Sequence, residues 1–173
     1  MITSTSQINN IDDLRSYVRF VLAKHLFNML NIESTNEPTE EILGLLDFEE
    51  DALFGDGYLG MYDSGIYHLS DDADDNEIER LFINKYDLKI TTDKFKEIAK
   101  TFINSSYDMI DITLIEQDGG GEGGSEYCYS VLKIGEKFFK FGYSYQSHAG
   151  FSFWGNTPVK EVHPQKVEVI KYF

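Results

Sequence analysis

The spacing of the hydrophobic residues changes near the middle of the chain. Up to about residue 105 they recur every three or four positions, which is the spacing of one face of an α-helix. From about residue 107 to residue 173 they alternate with polar residues, as in half-buried β-strands. Helices followed by strands predict an α+β fold, in which N-terminal and central helices pack on a C-terminal antiparallel β-meander.

The first predicted helix spans about residues 10–31. Asn10 is placed to cap its N-terminus, and Asp12 and Asp13 lie in the first turn, where the helix dipole favours negative charge. The apolar face follows the helical spacing and consists of Ile11, Leu14, Val18, Val21, Leu22, His25, Leu26 and Met29. Within this face His25 is interpreted as a residue at the edge of the core.

Three shorter helices are predicted after the first. One covers about residues 39–48, because Pro38 interrupts the chain just before it and Pro is favourable at a helix start. Another begins within the acidic stretch 70–75, whose carboxylates are tolerated at a helix N-terminus. The last covers about residues 93–104, with Thr92 as its cap.

Alternating runs joined by Gly-rich or polar segments make up the second half. The runs lie at residues 110–114, 127–131, 139–145, 151–153 and 167–173. Residues 119–124 and 145–150 are interpreted as connections between antiparallel strands. Two earlier segments are irregular: residues 55–72 indicate turns or a short hairpin, and residues 86–90 indicate a short strand or a connector.

Length and cysteine content limit the class of protein. A chain of 173 residues is predicted to form a single domain over residues 1–173, large enough to fold without a disulfide or a metal. The single Cys128 excludes an intramolecular disulfide and fits a reducing compartment. The N-terminus has no signal-peptide pattern, and no apolar run is long enough to span a membrane. We therefore expect a cytoplasmic protein.

The negative charge is concentrated in the middle of the chain. Residues 33–82 contain sixteen Asp and Glu and one Arg, whereas the two flanks are nearly neutral, in a chain of net charge −15. A pI of about 4.5 argues against direct binding to nucleic acid or to an anionic membrane, because the phosphates would be repelled. The charge favours a basic protein surface as the partner, such as that of a nuclease or another nucleic-acid-binding protein.

The densest run of carboxylates invites a calcium-binding interpretation. Asp72, Asp74 and Asn76 match the first three ligand positions of an EF-hand loop. However, Glu77 stands where the loop requires Gly, and Ile83 stands where it requires a bidentate Glu. The stretch is therefore interpreted as a solvated helix start, and no metal ligand is predicted.

The sequence also gives little support for a catalytic motif or a cofactor-binding motif. The glycine run at 119–124 lacks the Lys-Ser/Thr ending of a phosphate-binding loop, and its Glu122 would repel a phosphate. Cys128 and His148 could be a nucleophile and a base, but the sequence indicates no orienting third group, and a lone Cys in a strand is typically packed. We predict no catalytic residue and no cofactor.

The C-terminal third resembles a group of small phage and bacterial accessory or immunity-like proteins. The matching features are GGGEGGSEYCYSVLKI, KFFKFGYSYQSHAG, EVHP and KVEVIKYF, within residues 116–173. That group has a GGEG-type turn before a Tyr-rich strand, a Y-x-S-x-x-G turn and a closing EV-x-P strand. The resemblance implies a small cytoplasmic protein, in the host cytoplasm if phage-encoded, and brings no catalytic residues with it.

These observations favour a non-enzymatic acidic interaction protein. The leading hypothesis is a phage-type inhibitor of a basic or nucleic-acid-binding host or defence protein, acting through a negative face as a DNA mimic in anti-defence. The alternatives are an immunity protein that neutralises a cognate basic toxin, and a carboxylate-based cation-binding protein or metal-dependent hydrolase. The sequence is also compatible with a homodimer. The residues predicted to bind the partner are Asp56, Asp63, Asp71, Asp72, Asp74, Asp75, Glu77, Glu79, Tyr145 and His148.

Overall fold

Helices occupy the N-terminal and central parts of the chain, and most strands follow them. The computed structural model describes residues 1–48, 67–69, 73–103, 112–119, 126–146 and 150–166. Its α-helices are α1 (Ile11–Met29), α2 (Glu40–Gly44), α3 (Asp75–Ile78), which continues as a π-helix (Glu79–Ile83), and α4 (Thr92–Ile103). Its strands are β1 (Leu46–Phe48), β2 (Tyr67–Leu69), β3 (Ile112–Asp118), β4 (Glu126–Ile134), β5 (Lys137–Gln146), β6 (Gly150–Ser152) and β7 (Lys160–Val162).

The strands form two antiparallel sheets. In the larger sheet β3, β4, β5 and β6 are neighbours in that order, and β7 pairs with the other end of β5. The smaller sheet pairs β1 with β2, so that Leu46 lies opposite Leu69. The fold is therefore α+β, with helices packed on a C-terminal antiparallel sheet, as the change in hydrophobic spacing predicts.

Helix α1 confirms the longest periodic pattern of the sequence. The side chain of Asn10 caps it by accepting a hydrogen bond of 2.9 Å from the backbone N–H of Asp13. Its apolar face is buried at Ile11, Leu14, Val18, Leu22, Ala23, Leu26 and Phe27. His25 is half-buried beside this face, and burial lowers its pKa because the charged imidazolium loses solvation.

The N-terminus of α1 is attached to the far end of the chain. The N–H of Ile11 donates to the carbonyl of Thr157 (3.1 Å), and that of Asp12 donates to the carbonyl of Gly155 (3.2 Å). The first N–H groups of a helix have no partner within the helix, so these bonds satisfy donors that would otherwise need water. Gly155 allows a close approach of Asp12, because a Cβ at position 155 would lie 2.2 Å from a carboxylate oxygen of Asp12.

An aromatic cluster joins three helical segments. The ring of Phe82, in the π-helix, lies 4.7 Å from that of Phe95 in α4 and 6.3 Å from that of Phe27 in α1. Tyr86 packs on Phe27 from the turn after the π-helix, with ring centroids 5.2 Å apart. Phe27, Phe82 and Phe95 are fully buried, so this cluster fixes the central helices against α1.

The helix-facing side of the larger sheet completes the same core. On β5 the buried residues are Phe139, Phe141 and Tyr143, which the alternating pattern places on one face. Directly opposite them on β4 are Leu132, Ser130 and Cys128. The buried hydroxyl of Tyr143 accepts hydrogen bonds from Gln117 Nε2 (2.8 Å) and from Ser130 (3.3 Å), so the polar groups beneath the sheet satisfy one another.

Two local predictions need correction, and the structure decides between the two interpretations of a third segment. The predicted helix over 39–48 ends at Gly44, and Leu46–Phe48 is the strand β1, because β2 provides a partner that the local sequence does not reveal. Of the two interpretations of residues 86–90, the connector is right: within this segment Asp87 has φ 49°, which no strand residue adopts.

The cap of α4 is also one residue earlier than predicted. Thr92 is already the first residue of α4, and Thr91 is the capping residue. The hydroxyl of Thr91 accepts a bond of 3.2 Å from the N–H of Lys94, and its carbonyl accepts the bond from the N–H of Phe95. The predicted final strand over 167–173 lies outside the described residues, as do most of residues 55–72.

Candidate functional site

The residues predicted to bind a partner fall into two groups. Asp56, Asp63, Asp71, Asp72 and His148 lie outside the described residues. Asp74, Asp75, Glu77 and Glu79 lie on α3 and the start of its π-helical continuation, whereas Tyr145 lies near the end of β5 and packs against the core. The carboxylates therefore come together on one helical segment, and Tyr145 belongs to a different element.

Helix α3 and its π-helical continuation pack against the core with one side. Asp74 caps the helix by accepting a bond of 2.8 Å from the N–H of Glu77. Ile78, Leu81 and Phe82 are buried in the core. Because one side of the helix is fixed in the core, the carboxylates between and before these residues have defined positions at the surface.

One carboxylate of α2 lies beside this helix, and a second precedes it in sequence. Nη1 of Arg80 is 3.2 Å from Oε2 of Glu41, although the two residues are 39 positions apart in sequence. Glu40 precedes Glu41 in the first turn of α2. We call the resulting group the acidic surface, and it consists of Glu40, Glu41, Asp74, Asp75, Glu77 and Glu79.

Few basic groups accompany the acidic surface. Arg80 pairs with Glu41, Lys96 of α4 pairs with Asp75 at 2.5 Å, and the N-terminal amine of Met1 pairs with Glu40 at 2.9 Å. The hydrogen bond to Asp75 raises the pKa of Lys96. Glu41 and Asp75 keep 63% and 65% of their side-chain surface exposed. Ion pairs at such exposed positions stabilise a protein little, so these carboxylates can also bind cations of a partner.

The acidic surface is not arranged as a metal centre. Among the described residues, no three His, Cys, Asp or Glu side chains come close enough to hold a metal ion. Its chemistry is therefore that of separate exposed carboxylates, each able to accept hydrogen bonds from Lys or Arg.

A second surface, which the sequence did not single out, is the solvent side of the larger sheet. Residues directly opposite each other on neighbouring strands share a face. The strand register therefore assigns to the solvent side Glu116 and Asp118 of β3, Tyr127, Tyr129, Val131 and Lys133 of β4, Phe138, Lys140, Gly142 and Ser144 of β5, and Lys160 and Val162 of β7. We call this set the open face.

Two tyrosines dominate the open face. Tyr127 is 76% exposed, and its phenol end lies against the backbone of Gly142, where a Cβ would be 1.8 Å from the phenol oxygen. Tyr129 donates a hydrogen bond of 2.5 Å to Glu116, and Nζ of Lys140 lies 3.3 Å from its ring centroid. This bond to Glu116 raises the pKa of Tyr129 to about 12, because the carboxylate stabilises the protonated phenol. The alternation of tyrosines in β4 was the available signal for this surface.

The fold and its two surfaces define an α+β protein with a fixed acidic surface and an aromatic open face. No protein-family model, curated protein or solved structure matches the chain. Over the part of the chain that the structure describes, none of the helices is both long and apolar enough to cross a membrane.

Proposed function

We propose that this chain is a non-enzymatic acidic interaction protein, which inhibits a basic or nucleic-acid-binding protein by occupying its cationic surface. The observation that carries the proposal is the anchoring of the acidic helix. Ile78, Leu81 and Phe82 are buried, so Asp74, Asp75, Glu77 and Glu79 are presented on a rigid element. A fixed array of carboxylates can match a cationic site without first losing the conformational freedom of a flexible arm.

The charge density of the helix supports mimicry of nucleic acid. Asp74 to Glu79 spans five residue steps, which is about 8 Å along a helix. Duplex DNA carries about five phosphate charges over the same length. The four carboxylates of this segment therefore approach the charge density that a DNA-binding surface is built to accept.

The resemblance of residues 116–173 to phage and bacterial accessory proteins supports the same class. Under this proposal the chain acts in the cytoplasm, the host cytoplasm if it is phage-encoded, as an anti-defence inhibitor that itself contacts no nucleic acid and no membrane. An immunity protein that neutralises a basic toxin would use the same acidic surface, and the identity of the partner separates the two.

A pull-down from host lysate at low and at high salt, with mass spectrometry of the eluted proteins, tests the proposal. We expect a basic or nucleic-acid-binding protein to be retained at low salt and released at high salt, since exposed charge pairs are screened. The decisive variant neutralises Asp74, Asp75, Glu77 and Glu79 as Asn or Gln. Asn at position 74 keeps the helix cap, so the fold is preserved.

A matched control neutralises four exposed acids elsewhere, namely Glu33, Asp87, Glu97 and Glu136. Both variants have the same net charge, so a loss confined to the first variant assigns binding to the acidic surface. We expect that variant to bind the recovered partner about tenfold or more weakly. Equal binding by the two variants, or binding that salt does not change, refutes the proposal. Turnover of a substrate by the pure protein would point instead to an enzyme.

A further inference from the structure

The open face carries its two carboxylates and two of its three lysines in two separate strips. The carboxylates Glu116 and Asp118 lie along β3, at one edge of the sheet. The lysines Lys140 and Lys160 lie opposite each other on β5 and β7, at the other side. Tyr129, the buried Val131 and the third lysine, Lys133, lie between the strips on β4. The face is therefore nearly neutral as a whole, but has an acidic side and a basic side.

This polarity restricts what can cover the open face. A uniformly basic partner would be repelled by the lysine strip, and a nucleic acid would be repelled by the carboxylate strip. A partner with the reverse order of charges would match both strips. The open face of a second copy of the chain has that reverse order when the copy is rotated by 180° about an axis parallel to the strands.

We propose that the open face is the interface of a symmetric dimer of this chain. With the axis between β4 and β5, β3 of one copy lies over β7 of the other. Glu116, Val131, Lys140 and Lys160 occupy one row across the sheet, and the rotation keeps that row in register. Glu116 of each copy then faces Lys160 of the other, and this pair occurs twice in the dimer.

The rest of the open face suits packing against a second sheet. Tyr127 lies across Gly142 and leaves a flat aromatic surface, and the half-buried Phe138 adds apolar area. Two sheets packed face to face lie about 10 Å apart with their strands within about 30° of each other. Edge-to-edge pairing through β3 is less suited, because β3 has a bulge between Leu114 and Glu116, and bulges blunt sheet edges.

The acidic surface does not oppose this dimer. It belongs to the helices, which pack on the other side of the larger sheet. Two helical layers separated by two sheets lie about 30 Å apart, at about 10 Å per layer. This exceeds the screening length of about 8 Å at physiological salt, so repulsion between the two acidic surfaces is largely screened.

The size of the open face predicts a weak dimer. Four strands about 4.8 Å apart and four rows about 7 Å apart give at most roughly 540 Å² per copy. A standard stable interface buries about 800 Å² per partner. We therefore expect a monomer–dimer equilibrium that is visible in the micromolar range, and this inference is independent of the proposed inhibitory function.

Sedimentation velocity over a wide range of protein concentration tests the proposal through a charge swap. Glu116→Lys places Lys against Lys160 of the other copy, and Lys160→Glu places Glu against Glu116. Each variant alone should associate at least about tenfold more weakly than the parent. An equimolar mixture of the two variants should recover dimers, because both pairs in the mixed dimer again have opposite charges.

Two exposed residues off the open face provide the matched controls. Glu136→Lys and Lys166→Glu make the same charge changes and should leave the association unchanged, alone and mixed. Thermal unfolding of every variant checks that the fold is retained. A parent that stays monomeric throughout, single variants that dimerise like the parent, or a mixture that associates no better than its components would each overturn the proposal.

Discussion

Truncation of Phe82 tests most directly whether the acidic helix is an integral part of the fold. The Phe82 ring is fully buried between Phe27 of α1 and Phe95 of α4. Phe82→Ala removes a ring from a closely packed site and leaves a cavity. Such substitutions lower the free energy of unfolding by about 3–5 kcal/mol, and the loss of two aromatic contacts favours the upper part of this range.

This loss is large compared with the total stability of a domain, which is about 5–15 kcal/mol. At about 2–4 °C per kcal/mol for a chain of this size, a loss of about 4–5 kcal/mol should lower the melting temperature by about 8–20 °C. Urea unfolding followed by circular dichroism measures the change, and the slope of the free energy against urea should stay constant if the native fold is retained. Tyr127→Ala is the matched control, because it removes an exposed aromatic residue and should change stability by less than about 0.5 kcal/mol.

A loss below about 1 kcal/mol for Phe82→Ala would refute the reasoning, because fully packed core aromatics do not give such small values. It would mean that the Glu79–Ile83 helix is not anchored in solution. The acidic residues would then form a mobile arm, and the case for a fixed acidic surface would lose its basis.

Three further predictions follow from single residues. Asn10→Ala should lower the free energy of unfolding by about 1 kcal/mol in urea, whereas Asn10→Asp should preserve the cap; equal losses would argue against the cap. Phenolate absorbance should show Tyr129 titrating at about pH 12, and Glu116→Gln should return its pKa towards 10.0. The raised pKa of Tyr129 stabilises the fold below pH 10, and this contribution disappears as the pH rises through about 12. Between pH 10 and pH 12 the Glu116→Gln variant should therefore lose less stability than the parent. The thiol of Cys128, 1% exposed, should react with a thiol reagent only after denaturation, and rapid reaction of the native protein would contradict its burial.

The sequence was most informative where one long pattern and one cap agreed. Apart from His25, the residues on the predicted face of helix α1 are apolar, and Asn10 marks the start of the helix, so its bounds were predicted to within two residues. The short apolar segment Leu45–Leu46 could belong to a helix or a strand, since brief apolar runs do not distinguish them. Its partner β2 lies more than twenty positions away, and tertiary pairing decided the outcome.

The orientation of β4 shows a different limit of prediction from the sequence. Tyr127 and Tyr129 alternate with Cys128 and Ser130, and either set could face the core. The decision comes from the register with β5, where Phe141 and Tyr143 are buried and lie opposite Ser130 and Cys128. A strand pattern predicts that two faces exist, but the neighbouring strand determines which one is packed. For this reason the alternation of tyrosines indicated two faces of β4, but not which of them is open.

The acidic surface could be predicted from the sequence only in part. Its charges are evident from the sequence, and the buried positions of α3 follow from Ile78, Leu81 and Phe82. The proximity of Glu41 to Arg80 could not be predicted, because it depends on how α2 packs beside the π-helix. Composition therefore indicated the chemistry of the surface, and the fold determined which carboxylates share it.

The two proposed surfaces have a joint consequence for how a partner would be bound. In the proposed dimer the open faces are buried together, so the two acidic surfaces point away from each other at about 30 Å or more. A partner with one cationic site would bind each copy independently, and Lys160→Glu would leave its affinity unchanged. A partner with two suitably spaced sites would gain from bivalent binding, and the same substitution would weaken its binding by up to the avidity factor. Measuring the affinity of the recovered partner for the parent and for Lys160→Glu therefore distinguishes the role of the acidic surface from that of the open face. A loss of binding to a single-site partner would show that the lysine strip itself takes part in recognition.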